Sequence, residues 1–235
     1  MSNPTQFITL RARVPIRAGE QLTTRYKHFM HSKWDIQAML QKEWLFTCTC
    51  MRCQDETELG SYFSSLKCPY GGYFIQKISE CQSVVCSKCN TSTDFTDRFK
   101  KIQAIESNLT SSTAQNIPEI CNVVEEDEEI HDNFILKTKV YKKYVDIFEN
   151  TDNQDILEDV VRRVKIVLNT LQLVDRGCSK LMGKYLMVLA ECQQRMVKAR
   201  KGEGGMSLKD LKQAVKELTM IKLTAVKMLS QYVII

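Results

Sequence analysis

The sequence predicts an α+β protein, with a small β- and cysteine-bearing amino-terminal part followed by an all-α carboxy-terminal part. Three observations carry this expectation. Seven of the 10 cysteines fall between residues 48 and 89, in a stretch also marked by the Gly71-Gly72 pair and β-branched residues. From about residue 97 onward, apolar residues recur at the spacing of helical turns. The composition is that of a packed chain, at 43% hydrophobic and 26% charged, which excludes a disordered or collagen-like whole.

Taken in order, Phe7, Thr9 and Arg11 alternate with Ile8, Leu10 and Ala12, a period of two that predicts a half-buried strand. Leu22–Tyr26 is expected as a second short strand, and Asp35–Glu43 as a short helix with Ile36, Met39 and Leu40 on one side. A small β-hairpin knuckle is expected over about 60–95, with its turn at Gly71-Gly72. Helical rows follow: Leu136, Val140, Tyr144, Ile147; then Leu157, Val160, Val164, Leu168, Leu171; then Leu181, Tyr185, Leu189, Cys192, Met196. The last helix opens with Ser207 three residues before Asp210, a capping pattern, and continues through Leu211, Val215, Leu218, Ile221, Ala225 and Met228. The acidic run Glu125–Glu129 reads as solvated loop.

The longest uninterrupted apolar run near the last helices is Tyr185–Ala190, far short of the roughly 20 residues a spanning helix needs, so no membrane partner is expected. The first residues show no basic-then-apolar leader, and a cytoplasmic or nuclear location is expected. Disulfides are rare there, so clustered cysteines point to metal. Net charge is +5, carried by residues 1–53, which hold eight Lys or Arg against three acids. Without a tight basic cluster and interleaved aromatics, solvated side chains explain that excess better than nucleic acid, which is disfavoured as a partner.

Cys48, Cys50 and Cys53 place three thiols within six residues, a spacing that suits tetrahedral zinc. Its fourth ligand is open among His28, His31, water and another chain, or has been lost. Cys68, Cys81, Cys86 and Cys89 form a second set around the glycine turn, compatible with a zinc ribbon. Cys121, Cys178 and Cys192 are isolated and read as core thiols. His131 adjoins acids and pairs with no given cysteine, so a Cys/His protease is unsupported.

At this point a family resemblance enters. Ala18-Gly19-Glu20-Gln21-Leu22-Thr23-Thr24-Arg25-Tyr26 resembles the end of a SET domain, and Trp44-Leu45-Phe46-Thr47-Cys48-Thr49-Cys50-Met51-Arg52-Cys53 resembles the post-SET motif that follows it. Gln54–Gly60, Leu66–Pro69, Val174–Gly183 and Ser207–Leu211 are similar to the arthropod branch of SMYD-type proteins. The resemblance implies four parts: 1–30 as the end of a SET domain, 31–60 as a helix with the post-SET cluster, 61–96 as a zinc-knuckle-like hairpin, and 97–235 as a helical, tetratricopeptide-like domain. It further implies Tyr26 as the catalytic tyrosine orienting the substrate amine, Phe46 against the adenine of S-adenosylmethionine, and Cys48, Cys50 and Cys53 as zinc ligands. A protein-lysine methyltransferase acting on histone or other lysine peptides is the implied activity.

Several family features have no counterpart in this sequence: the glycine-rich cofactor loop, the upstream "N-H-x-C" segment and the MYND finger. The expectation is therefore a fragment of such an enzyme, inactive as the isolated chain. The competing expectation is a non-catalytic zinc-containing module for protein contacts through the helical domain. Where family members carry "C-P-x-C", this chain has Cys68-Pro69-Tyr70-Gly71, which leaves Cys81 as the nearby replacement ligand.

Overall fold

The computed structural model describes residues 11–76, 83–177, 179–202 and 205–230. Residues 11–32 precede the first helix and contain no strand. Leu22–Tyr26, expected as a strand, is exposed along its length. A strand needs a neighbour to take its N–H and C=O groups, and none lies beside it among the described residues. Of the other expected strand, residues 7–10 lie outside the described residues, and Arg11 and Ala12 are irregular. Side chains hold this segment instead. Arg13 and Arg25 both pair with the buried Asp175, at 2.6 and 2.7 Å.

Helix α1 (Lys33–Trp44) covers the expected Asp35–Glu43. Its N-cap is Ser32, whose hydroxyl accepts from the Asp35 N–H at 3.0 Å. It ends at Leu45 in the left-handed region, which turns the chain back toward the cysteines. One short helical turn follows, α2 (Met51–Gln54).

Strands β1 (Phe74–Gln76), β2 (Ser83–Cys86) and β3 (Ser92–Asp94) form one antiparallel sheet in that order, with Phe74 opposite Cys86 and Val84 opposite Thr93. The expected two-stranded hairpin is thus three-stranded. Strand β3 carries no apolar alternation, so periodicity could not reveal it. Gly71 and Gly72 make the expected turn, both at positive φ.

The remainder is helical: α3 (Thr96–Thr110), α4 (Ile117–Glu126), α5 (Ile135–Phe148), α6 (Gln154–Val174), α7 (Lys180–Gly202) and α8 (Leu208–Ser230). From α4 to α8 each helix packs on the next, and α3 packs on α5. The expected rows of α5 to α7 supply the core through Leu136, Val140, Tyr144, Leu157, Val160, Val164, Leu171, Tyr185 and Cys192. Helix α8 departs from this. Its Ser207 cap is present, yet only Ala225 is fully buried, because the helix packs chiefly on α7 and leaves Val215, Leu223 and Val226 to solvent. The acidic run also differs from expectation. Glu125 and Glu126 belong to α4, and Glu125 pairs with the buried Arg163 at 2.9 Å, so a guanidinium inside the helical core takes a carboxylate that looked solvated.

Candidate metal centres and an aromatic site

The first thiol cluster is built by the turn that follows α1. After Leu45 reverses the chain, residues 46–48 run back beside α1, and the Gln37 side chain clamps Cys48. Its amide donates to the Cys48 carbonyl at 2.8 Å, and its oxygen accepts from the Cys48 N–H at 2.8 Å. Cys50 then sits at the start of α2, and its carbonyl accepts from the Gln54 N–H. The three sulfurs of Cys48, Cys50 and Cys53 lie within 4.8 Å of one another.

Arg52, between the last two cysteines, anchors this turn to the interior. Its guanidinium donates to the Phe29 carbonyl at 2.9 Å, the His31 carbonyl at 3.0 Å, and Glu58 Oε1 at 2.8 and 3.1 Å. The other oxygen of Glu58 accepts from the Ser64 N–H at 2.7 Å. A buried ion pair with its lone pairs satisfied in this way is stable, and one deprived of a partner is not.

The electrostatics suit cation binding. A hydrogen bond from Cys53 holds the Cys50 thiol down to about 5, and the same bond, together with burial, pushes Cys53 up. One thiolate is therefore already favoured before any ion arrives, and metal ligation requires thiolates. Neither His28 nor His31 joins the three sulfurs among the described residues. His28 Nδ1 accepts from the Met30 N–H at 3.2 Å, its ring packs on Phe29, and burial beside Arg25 lowers its pKa.

The second cluster brings together Cys68, Cys86 and Cys89, again within 4.8 Å; Cys81 lies outside the described residues. Cys68 and Cys86 are buried and Cys89 is exposed. Burial pushes the Cys68 thiol up, while hydrogen bonds from the Thr91 hydroxyl and N–H hold Cys89 down to about 7. Of the isolated cysteines, Cys121 and Cys192 are buried among helices, and Cys178 lies outside the described residues. His131 Nε2 lies 3.2 and 2.9 Å from the Tyr62 and Ser65 carbonyls, bridging them, and His131 belongs to neither thiol cluster.

Tyr26 and Phe46 meet. Their ring centroids are 5.2 Å apart at 68°, and Trp44 stands 5.1 Å from Tyr26 at 71°, both edge-to-face arrangements. An ion pair between Lys27 and Glu43 ties the Tyr26 segment to α1. Tyr26 and Trp44 remain half-exposed. Phe46 is two residues from Cys48 in sequence, and through its contact with Tyr26 the rings lie beside the chain that leads into the first thiol cluster. Reading the sequence by residue type missed Gln37, Arg52 and Glu58, and gave Trp44 no role beyond its place in the post-SET match. Only Arg52 carried a signal, through its place inside the C-x-x-C turn.

A cavity of about 740 Å³ opens between the amino-terminal segment and α7, lined by Arg13, Arg25, His28, Asp175, Lys184 and Leu229 among others. Several basic residues of the amino-terminal part are engaged in ion pairs within the protein, among them Arg13, Arg25, Lys27 and the buried Arg52.

No family profile matches the chain. A segment of 43 residues, 18% of this chain, is 44% identical to histone-lysine N-methyltransferase SET5 of the yeast Meyerozyma guilliermondii. The chain spans 9% of the length of that curated relative. No helix among the described residues is long and apolar enough to cross a membrane.

Proposed function

We propose that this chain supplies the tyrosine-bearing end and the post-SET cluster of a SET-type protein-lysine N-methyltransferase of the SMYD kind. The observation that carries the proposal is the contact of Tyr26 with Phe46 immediately before the Cys48, Cys50, Cys53 cluster. Support also comes from the 43-residue similarity to a protein named as a histone-lysine methyltransferase. In this reading S-adenosylmethionine donates the methyl group to a lysine of a histone or another protein. The Tyr26 hydroxyl orients the lysine amine, and Phe46 offers its face to the adenine. Zinc, held by Cys48, Cys50 and Cys53, fixes the turn that carries Phe46. Methyl transfer demands donor and amine within about 3–3.5 Å in line. Tyr26 and Trp44 line neither described cavity, and both are half-exposed. Enclosure of the reacting groups thus has to come from elsewhere, and the isolated chain is inactive.

The test is transfer of labelled methyl from S-adenosylmethionine to histones and lysine peptides. The 235-residue chain gives background counts. Any longer polypeptide carrying this sequence gives transfer that Tyr26→Phe lowers by about 100-fold, the size typical for loss of one orienting group. Turnover by the isolated chain overturns the inactivity, and indifference to Tyr26→Phe overturns the assignment of the site. A second reading, a zinc-containing module for protein contacts, is favoured by one observation. Helix α8 exposes Leu208, Val215, Leu223 and Val226 at the end of an array in which each helix packs on the next, as in tetratricopeptide-like stacks.

A further inference from the structure

Helix α8 carries more apolar surface than its face toward α7 uses. That inner face is firmly seated. Ala225 is buried, the Lys222 ammonium donates to Gln194 Oε1 at 2.6 Å, and a Cβ on Gly183 of α7 would lie 3.0 Å from Leu229 Cγ. On the side left open, Leu208, Val215, Leu223 and Val226 follow one another at 7, 8 and 3 residues, which aligns them in one row along the helix. Each is more than half exposed, from 52% at Val215 to 69% at Leu208. Helices α5, α6 and α7 each lie between two others, whereas α8 ends the array among the described residues. The outer face of an end helix in such a stack is ordinarily polar, since no neighbour covers it. Charge beside the row has one sign. Lys212 stands four residues after Leu208, Lys216 four after Lys212, and Lys227 four after Leu223, with Lys209 in the turn before them. All four lysines are exposed, and none has an acidic partner among the described residues. The two acids of α8 share a different row, seven residues apart, and are engaged locally. Asp210 accepts from the Ser207 hydroxyl and Glu217 from the Gln213 amide, both at 2.6 Å.

We propose that the outer face of α8 docks an acidic amphipathic helix of another protein, its apolar side on the Leu208–Val226 row and its carboxylates toward Lys209, Lys212, Lys216 and Lys227. The proposal deepens, and rests on, the reading of this chain as a module for protein contacts. A row at this spacing takes the i, i+3, i+4 and i+7 anchors of a partner helix. The lysines select among such helices, because a basic one is repelled and an acidic one finds ammonium groups that nothing else neutralises. The same charges disfavour a second copy. A two-fold pairing of this face would set the lysine rows of both copies at one interface. Nor does the acidic helix α4 of another copy fit, since Val123 is its one exposed large apolar residue and makes no row. A lipid surface is a poorer match, because the row holds no Trp or Phe to sit at a headgroup boundary.

The experiment follows, by fluorescence anisotropy, the binding of two labelled synthetic helices to the full 235-residue protein. Both carry one leucine row; glutamates flank it in the first and lysines in the second. The glutamate helix is expected to bind at least about tenfold more tightly than the lysine helix, with a smaller margin at high salt. Val215→Glu/Leu223→Glu is expected to weaken that binding at least about tenfold. Lys212→Glu/Lys216→Glu/Lys227→Glu is expected to reverse the preference, so that the lysine helix binds more tightly. The substituted side chains are all exposed, and a reversed preference is a gain that a misfolded protein does not give. Equal affinity for the two helices, or binding of neither, overturns the proposal. Binding of the glutamate helix that survives both variants also overturns this surface, yet spares the module reading, which fails separately on methyl transfer by the isolated chain. A dimer in sedimentation that Val215→Glu/Leu223→Glu dissociates makes the occupant a second copy. Tighter binding to phosphatidylcholine vesicles containing phosphatidylserine than to the glutamate helix, lost in the same variants, makes it a membrane. Either result overturns the acidic helix as the partner.

Discussion

Replacing Glu58 by alanine tests whether the turn of the first thiol cluster is held from inside the protein. Glu58 is fully buried and receives three hydrogen bonds, two from Arg52 and one from the Ser64 N–H. The substitution leaves the Arg52 guanidinium with only the Phe29 and His31 carbonyls, in a site it shares with the Phe63 ring 5.1 Å away. Breaking a buried pair from one side costs about 3–5 kcal/mol. For a chain of this size each kcal/mol moves the melting midpoint by about 2–4 °C, so a fall of roughly 6–20 °C is expected. Arg52 lies between Cys50 and Cys53, so zinc affinity at that cluster is expected to fall as well, whereas the second cluster keeps its ion. Differential scanning calorimetry and chelator competition measure the two effects. The double variant Arg52→Met/Glu58→Leu, which removes both charges and keeps apolar volume, is expected to recover much of the midpoint. A shift below about 2 °C in Glu58→Ala, or a double variant no better than the sum of the singles, would refute the coupling.

Two further outcomes are expected. Burial holds His131 below its ordinary value of about 6.5 despite its contacts with the Ser65 and Tyr62 carbonyls. The unfolded chain therefore takes up the proton first as pH falls, and stability drops from about pH 6.5 downward until the folded group also titrates. His131→Asn should flatten the change in melting midpoint between pH 7.5 and 5.5, and an undiminished slope counts against the assignment, since His28 contributes in the same direction in both proteins. Gly177 has φ +84°, and a Cβ there would lie 2.4 Å from the Arg13 carbonyl and 2.6 Å from Val14 Cγ1. Gly177→Ala should cost about 1–3 kcal/mol and loosen residues 11–17; trypsin should cut at Arg13 and Arg17 several-fold faster, and an unchanged rate would show that the contact does not hold the segment.

The helical half was legible because burial there follows one period. Leu157, Val160, Val164 and Leu171 fall on one face of α6 and all are buried. The same rule failed on α8, where an equally regular row packs chiefly on α7, since periodicity marks an apolar face and says nothing of what covers it. Thiol clustering was legible from spacing alone, as with Cys48, Cys50 and Cys53. The groups that position these thiols were not, because Gln37 to Cys48 and Arg52 to Glu58 are single contacts between irregular segments, without a repeating pattern. Leu22–Tyr26 shows the reverse limit. Its β-leaning residues form no strand here because pairing is a property of two segments, and a sequence window contains one.

The turn between the two clusters depends on those single contacts. Glu58, Leu59 and Tyr62 all have positive φ without being glycine. Such backbone costs about 1–2 kcal/mol per residue, or about 3–6 kcal/mol for the three. The Asp55 carboxylate offsets part of this by accepting from the Thr57 and Leu59 N–H groups, each at 2.8 Å. The Arg52–Glu58 pair pins the turn in place, since breaking it from one side would leave a buried charge unpaired at a cost of about 3–5 kcal/mol. The guanidinium that satisfies the buried Glu58 carboxylate within this strained turn is carried by the Cys50–Cys53 turn. Anything that fixes that turn, a bound ion above all, also fixes the backbone from Asp55 to Ser64. On its far side this stretch joins the β-sheet, where the Leu66 carbonyl accepts from the Phe74 N–H at 2.8 Å. Apolar burial is common to both parts, since Phe63, Leu66, Phe74 and Val84 share one core cluster with the helices, and the cysteine-bearing part adds ionic and sulfur contacts to it. The two halves of one chain should respond differently to chelators and to acid for that reason.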